Sequence, residues 1–489
     1  MADKSFLSEG TYGEVFLVSN GIEKKVFKKY KETTFDRLCY VLPETDIMMS
    51  MCHPNIMNGN SVIAITDGNT LTIELEMDYG VTLSDSINNL TFGKSLQYIF
   101  EIGSGEDFLL NYGKSHCDLK PSNIIIHNDV AKIIDFGLMV YNDPFSRDYD
   151  RKADLCGTFN TKPPEYYDGE NSIRIENEIW AYAMLVLDII YGIEDVYYLY
   201  CQKSNIKYTK DNIDFFLKEF QNRDNGAVKM FERIFGDFPV EFLPLVDDIG
   251  MLCHHDPKQR TKSLSNFLKN GLFVENNLIF NSRLGSVYQF EKELKSIPDD
   301  PYDRYIDVAL RWGVEVLLEY DTSIEGISLY CEIFRRIYPN YNYTKEDLQC
   351  FACCCCIIAS AMTGSDRLTE GSIHYITDNS VSISRMNEMI AEIINKEQSK
   401  FSYPSIYSVA KNKQAFIMAF VGVITRQVYY QEKYRSSYKI GINAVRLSSN
   451  DGKIIASTRI DDEMTIKSED ITLLINKIVT DGNRIHQIL

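Results

Sequence analysis

His116-Cys117-Asp118-Leu119-Lys120-Pro121-Ser122-Asn123, followed shortly by Asp135-Phe136-Gly137, sets two acids, an amide and a lysine at spacings that suit metal-assisted phosphoryl transfer. Such a reaction needs one carboxylate to orient the acceptor hydroxyl and further oxygen ligands to hold magnesium against the phosphates. A loop between two short strands can present all of them. In that reading Asp118 orients the acceptor, Asn123 and Asp135 hold the metal, and Lys120 neutralises charge on the group in transfer. Either piece alone has a bland reading, a surface turn or a common tripeptide. In this order they support one another.

Upstream, Ser5 to Val18 reads as strand, loop and strand around Gly10-Thr11-Tyr12-Gly13, and Asn20-Gly21 supplies a hairpin turn into a third strand near Lys25 to Tyr30. Glycines belong in a phosphate lid because backbone amides must come close to the phosphates. Period-two alternation puts Val26 and Lys28 on one face of the third strand, where Lys28 reaches phosphate and Val26 packs on the base. Lys29 faces the other way, toward solvent.

Over residues 5 to 270 these motifs resemble a eukaryotic-type serine/threonine protein kinase, similar to the cyclin-dependent kinases. The resemblance implies an α+β bilobal fold, ATP and Mg2+ as cofactors, and a protein substrate. It places Ser8, Gly10 and Gly13 in the lid, with Ser8 where the family has its first glycine, and Val15 over the adenine. Glu44, in the run Glu44 to Ile56, becomes the ion-pair partner of Lys28. Pro43 before it is awkward, since proline belongs in a helix's first turn. The helix is therefore expected to start late, to kink, or to need a partner. Leu75-Glu76-Met77, with Gly80 and Leu83 following, resembles the adenine-binding hinge, with Leu75 at the back of the pocket.

Gly157-Thr158 and Pro163-Pro164-Glu165 match the end of an activation segment. The resemblance implies that Thr158 bonds Asp118 and Lys120, and that Glu165 pairs with Arg260 in a structural bridge. Glu178-Ile179-Trp180 carries a longer acid than the usual aspartate. Cys117 stands where many kinases have an arginine that binds activation-loop phosphate, and Ala153 stands where cyclin-dependent kinases carry their activating threonine. Phosphorylation of that loop is then not the principal switch. Lys120, two residues after Asp118, resembles the serine/threonine rather than the tyrosine class.

At 489 residues, 45% of them hydrophobic, the chain can bury more than one core. Its net charge of -18 disfavours a nucleic-acid partner. The longest apolar run, Phe351 to Met362, is too short to cross a bilayer, and no leader segment is visible, so an intracellular protein without a membrane partner is expected. The 12 cysteines are expected to be reduced. Cys350 and Cys353 to Cys356 lie in one apolar helical run without ligand spacing, which reads as packing rather than a metal site.

The organisation expected is a small lobe over 1–80, a large lobe over 81–273, a linker over 274–297, a helical domain over 298–402 and a further unit over 403–489. Beyond Gly271 the pattern becomes amphipathic helices: about Tyr302 to Tyr320, Ser323 to Tyr338, Lys345 to Met362, Glu370 to Thr377 and Ser382 to Gln398. The third is apolar nearly all round and reads as a buried axle. Trp312-Gly313-Val314-Glu315-Val316, Leu348-Gln349 with Ile357-Ile358-Ala359-Ser360, and Ile376-Thr377-Asp378-Asn379 resemble an all-α cyclin box, with Tyr403-Pro404-Ser405 as the passage toward a reduced second cyclin fold. Further helices are expected at Ala415 to Tyr434 and Glu469 to Thr480. Arg311 replaces the usual aspartate, and the lysine and glutamates that follow the third helix in many cyclins are missing from Ala361 to Thr369, so the docking surface is expected to differ. The resemblance implies an intramolecular activator that presses Glu44 toward Lys28. The alternatives are a nucleotide-binding scaffold without activity and an autonomous kinase whose helical tail recruits another partner.

Overall fold

Alternating apolar positions build the amino-terminal sheet. In the computed structural model, β1 (Asp3–Glu9), β2 (Gly13–Ser19) and β3 (Lys24–Tyr30) run antiparallel in sequence order. The structure describes residues 3–401 apart from 11–12, 22, 32, 142–156, 158–160, 168–174, 210, 216–225, 288–302, 321, 323, 339–340 and 342, and it also describes 445–450 and 453–458. Helix α1 (Leu38–Ser50) and the short β4 (Met51–Cys52) separate β3 from β5 (Gly59–Asp67) and β6 (Thr70–Asp78). The sheet order is β1-β2-β3-β6-β5, which leaves β5 as an edge. Leu71, Ile73, Leu75 and Met77 all turn one face of β6 into the core.

Pro43 lies inside α1, five residues after its start, so the helix does not begin late. Proline removes one backbone donor and crowds the preceding turn. Thr45 answers carbonyls of that turn, its hydroxyl donating to Val41 and Leu42 at 3.1 Å each. The rest of the compensation is packing: Leu38, Val41, Leu42, Ile47 and Met48 are all buried.

The large lobe follows. After β7 (Val81–Thr82), α2 (Phe92–Asn111) starts at an N-cap, the Thr91 hydroxyl accepting the Lys94 N–H. Then come β8 (Lys114–Ser115), β9 (Ile124–His127), β10 (Val130–Ile133) and β11 (Val140–Tyr141). β9 and β10 form the hairpin that carries the catalytic loop and Asp135, and β9 also pairs with β7. Next are α3 (Pro164–Tyr167), α4 (Ile175–Tyr191), α5 (Val196–Lys203), α6 (Gly226–Phe235), α7 (Val246–Leu252) and α8 (Gly271–Glu275). Helix α4 is buried from Glu178 to Ile190 and forms the post of this lobe.

Part of the stretch expected as a linker is ordered structure. β12 (Ser286–Val287) pairs antiparallel with β4, Ser286 opposite Cys52 and Val287 opposite Met51. Gly285 makes the approach possible. Its φ is +94°, and a Cβ there would sit 2.8 Å from both His53 and Phe108. The chain thus returns to the junction of the two lobes.

Five helices follow: α9 (Asp303–Glu319), α10 (Ile324–Ile337), α11 (Asp347–Met362), α12 (Glu370–Ile376) and α13 (Ile383–Glu397). They fall within two residues of the helices read from periodicity. Thr369 caps α12 in a capping box and Ser382 caps α13. Helix α11 is the central element and packs on α9, α10, α13 and α1. Cys350 and Cys353 to Cys356 are all buried along it.

In the carboxyl-terminal stretch, β13 (Val445–Asn450) and β14 (Lys453–Thr458) form an antiparallel hairpin. This departs from an all-helical second unit: the strands carry Val445, Leu447, Ile454 and Ile455, residue types that favour extended backbone more than those of a polar helix face. The helices expected at 415–434 and 469–480 lie outside the described residues. Among the described residues no helix is long and apolar enough to cross a membrane.

Candidate active site

The two lobes enclose a cavity of about 600 Å³ whose wall carries most of the residues singled out from the sequence: Ser8, Gly10, Gly13, Val15, Val26, Lys28, Glu44, Met77, Asp118, Lys120, Asn123 and Asp135. On its upper side, the lid turn is closed by the Gly10 N–H donating to the Gly13 carbonyl at 2.8 Å. A Cβ on Gly13 would lie 2.6 Å from the Lys29 carbonyl oxygen, whereas one on Gly10 would meet nothing among the described residues nearer than 3.8 Å. Gly13 is therefore required by the hairpin, and Gly10 only by what the lid covers.

Lys28 projects from β3 into a cage of acids. Its Nζ lies 2.7 and 2.9 Å from the two Glu44 carboxylate oxygens and 2.9 Å from Asp135 Oδ1. Burial pushes the lysine's pKa down, but Glu44 and Asp135 outweigh it and hold the pKa above its ordinary value. Burial likewise raises Asp135, and the Lys28 ammonium overrides that and holds it below the carboxylate range. Glu44 is 1% exposed. The lysine is thus a fixed, charged donor group at the back of the cavity.

The opposite wall is the catalytic loop. Lys120 Nζ donates to Asp118 Oδ2 at 2.6 Å, and Asn123 Nδ2 donates to the Asp118 carbonyl at 2.8 Å and to Oδ2 at 3.0 Å. His116 supports the loop from behind: its Nδ1 accepts the Asp118 N–H at 3.2 Å while Nε2 faces the Ile134 carbonyl at 2.8 Å. That pairing requires the Nε2–H tautomer, and burial, by lowering the ring's pKa, keeps it neutral. The ring also meets Phe136 edge-on, with centroids 5.2 Å apart. Cys117, at φ 66°, and Asp135, also at φ 66°, occupy the left-handed region. The Cys117 N–H is held by Glu178 Oε2 at 2.9 Å, and burial pushes that carboxyl up to about 7. No arginine stands at this point, and Gly157 passes so close that its Cβ would lie 2.6 Å from the Cys117 carbonyl oxygen.

The expected hinge is displaced. Leu75 is fully buried opposite Lys28, and Glu76 points away to accept the Ser61 hydroxyl at 3.2 Å, so neither lines the cavity. Met77, opposite Val26, is the residue at the back of the pocket. The reason is length: β6 runs on to Asp78, so the chain leaves the sheet two residues later than the motif suggested. Tyr79, Gly80 and Val81 then form the wall, with Ile125 and Ile134 below and Met48 behind. Gly80 is dictated by the crossing, because a Cβ would come within 2.0 Å of Ile125 Cγ2 and 2.7 Å of the Ile126 carbonyl oxygen.

Arg260 and Glu165 form the expected bridge, with Nη1 to Oε1 at 2.8 Å and Nη2 to Oε2 at 3.0 Å. Arg260 also donates to the His254 and Glu176 carbonyls and lies over Trp180. Thr158 and Ala153 lie outside the described residues.

A bilobal fold with these groups facing across its cleft defines a protein kinase. The protein kinase domain family matches residues 1–271, over half of the chain, and the chain belongs to that family. Members of this family use ATP as phosphate donor. A candidate serine/threonine-protein kinase of Acanthamoeba polyphaga mimivirus is 23% identical over 347 residues, covering 69% of this chain and 48% of its own length. An Aurora kinase of Candida glabrata is 28% identical over 196 residues, 38% of this chain and 53% of its own. CBL-interacting protein kinase 26 of Oryza sativa is 26% identical over 195 residues, 38% of this chain and 39% of its own. The chain spans between 24% and 48% of the length of the curated relatives it matches first.

Proposed function

We propose that this chain is an ATP-dependent serine/threonine protein kinase that carries its own cyclin-like activator. The observation that carries the reading is the meeting, in one cavity, of the Lys28, Glu44 and Asp135 cage with the Asp118, Lys120 and Asn123 cluster. Asp118 accepts the proton of a serine or threonine hydroxyl and aims it. Lys120, already on Asp118, stabilises charge on the group in transfer. Lys28 stays on Glu44, and its contact to Asp135 is the one a phosphate oxygen would replace.

Asn123 and Asp135 are the residues to hold magnesium. Asn123 commits its amide nitrogen to Asp118, which leaves its oxygen as the cation donor, and Asp135 is held ionised by Lys28. Magnesium there would neutralise phosphate charge. Adenine would lie between Val15 and Val26 above and Ile125 below, with Met77 behind it. Glu165 and Arg260 hold the large lobe together.

The five helices α9 to α13 are read as a cyclin box, and their packing on α1 supports activation in cis. Helix α1 contains Glu44 and a proline that weakens it, so a helix packed along it favours the paired state. Covalent attachment raises the effective concentration of the activator, so a modest interface suffices. The test is phosphate transfer from ATP to a generic protein by the full chain and by residues 1–275, with Asp118→Asn as the blank. Transfer by the full chain alone supports the reading. Equal transfer by both makes the helices a recruiting module, and blank-level signal from both makes the chain a scaffold.

A further inference from the structure

Among the described residues no strand lies beyond the edge strand β5, and two side chains of the helical module occupy its outward backbone groups. Asn395 Oδ1 accepts the Ala64 N–H at 2.8 Å, and its Nδ2 donates to the Ala64 carbonyl at 2.8 Å. Gln398 repeats the pattern one pleat away, its Oε1 accepting the Val62 N–H at 3.1 Å and its Nε2 donating to the Val62 carbonyl at 3.1 Å. Each amide thus makes the pair of bonds that a neighbouring strand residue would make. Gln398 reaches this place as the left-handed C-cap of α13, at φ 52°.

Three residues further on, the same stretch turns to helix α1. The Phe401 N–H donates to Asp46 Oδ1 at 2.7 Å, and both residues are fully buried. Asp46 also accepts the Ser50 hydroxyl at 3.0 Å and lies within electrostatic reach of the buried Lys114 on β8. It stands two residues after Glu44 on the same helix.

Resting on the kinase reading above, we infer that residues 395–401 act as a bracket that sets the distance between Lys28 and Glu44, with Asp46 as a positioning residue. Lys28 belongs to the sheet, through β3, β6 and β5 in turn. Glu44 belongs to the helix. The amides grip the sheet at its edge and Phe401 grips the helix, so one short segment ties the two bodies whose spacing the ion pair requires. Because the grip on the sheet is to backbone, it depends on the Asn395 and Gln398 side chains and not on which residues β5 carries.

The experiment uses the full chain and three readouts: amide exchange at Val62 and Ala64, the rate at which an amine-reactive reagent labels Lys28, and kcat and KM for phosphate transfer. For Asn395→Leu combined with Gln398→Leu, exchange at both amides and Lys28 labelling should each rise at least about tenfold, and kcat should fall about tenfold at unchanged KM for the protein substrate. Asn395→Asp keeps the acceptor for the Ala64 N–H and should fall between. Asp46→Leu should match the labelling and kcat changes without exposing the β5 amides, while Asp46→Asn, which keeps the acceptor, should restore most of the rate. Asn387→Leu, which removes a bond to the Asn69 carbonyl at the far end of the same interface, should leave labelling and kcat unchanged. Lys28 labelling unaltered in the double variant overturns the inference whether or not the chain is active. Increased labelling in a chain that transfers no phosphate upholds the bracket and refutes the kinase reading alone.

Discussion

Replacing Glu44 with glutamine tests whether the buried ion pair is the device that makes the site competent. Glutamine keeps the shape and one acceptor but removes the charge facing Lys28, which is now 2.7 and 2.9 Å from the two carboxylate oxygens. Taking away one partner of a buried pair typically costs about 3–5 kcal/mol. Here Asp135, 2.9 Å from the same nitrogen, retains part of the compensation. We therefore take about 2–3 kcal/mol as the loss from the positioned state. If that loss is felt in the transition state, kcat falls roughly 30- to 150-fold, at about 1.4 kcal/mol per factor of ten. The assay is the initial rate of label transfer from ATP to a generic protein, with Asp118→Asn as the blank and the melting temperature followed in parallel. A Glu44→Gln chain of unchanged melting temperature and a rate within threefold of the original would refute the reasoning.

Asp118→Asn should lower kcat by about 10²- to 10⁴-fold, the usual contribution of a positioned proton acceptor, with nucleotide binding by fluorescence unchanged. Gly80→Ala should destabilise the protein by about 1–3 kcal/mol, because the new methyl meets Ile125 and the Ile126 carbonyl. Gly10→Ala, with no atom of the described residues closer than 3.8 Å, should leave the denaturation midpoint in place. Arg260→Lys replaces a bidentate buried contact with a single one and should shift the urea midpoint downward, whereas activity per folded molecule is retained. Glu178 supplies a pH test: its carboxyl is raised from 4.5 to about 7, so the folded state binds the proton more tightly than the unfolded one. The stability this contributes is present below about pH 4.5 and is lost as pH rises through about 7. Glu178→Gln, which mimics the protonated form, should flatten that fall in a series of melting curves.

The lower wall of the site could be read from sequence because its chemistry is packed into one short loop. Asp118, Lys120 and Asn123 are near neighbours, and Asp135 follows one hairpin later, so local spacing determines their meeting. Lys28 was also legible from period-two alternation, whereas Glu44 was identified only through the family resemblance. The hinge was misplaced by two residues because alternation continues unbroken through Leu75, Met77 and Tyr79, and nothing local marks where β6 ends. Met48, Ile125 and Ile134 carry no sequence signal beyond being apolar. The helices of the module emerged from amphipathic periodicity, yet their docking residues did not. Asn387, Asn395 and Gln398 bond to backbone groups more than 300 positions away and look like ordinary solvated residues on a helix. The strap at Ser286–Val287 was hidden for the same reason, as two residues that pair only because Gly285 lets them approach.

The covering of β5 by α13 has a bearing on solubility. A bare sheet edge is a template on which a second chain can pair, and natural proteins cap, charge or shorten such edges. β5 carries exposed Ile63 and Ile65 on its outer face and is nine residues long, so its protection comes from the amide side chains laid along it. Deleting the helices uncovers that edge together with the apolar side of α1. A chain ending near residue 275 should self-associate as concentration rises, visible by light scattering, and its activity belongs at the lowest workable concentration. The small lobe and the helical module are in this sense one unit of colloidal stability.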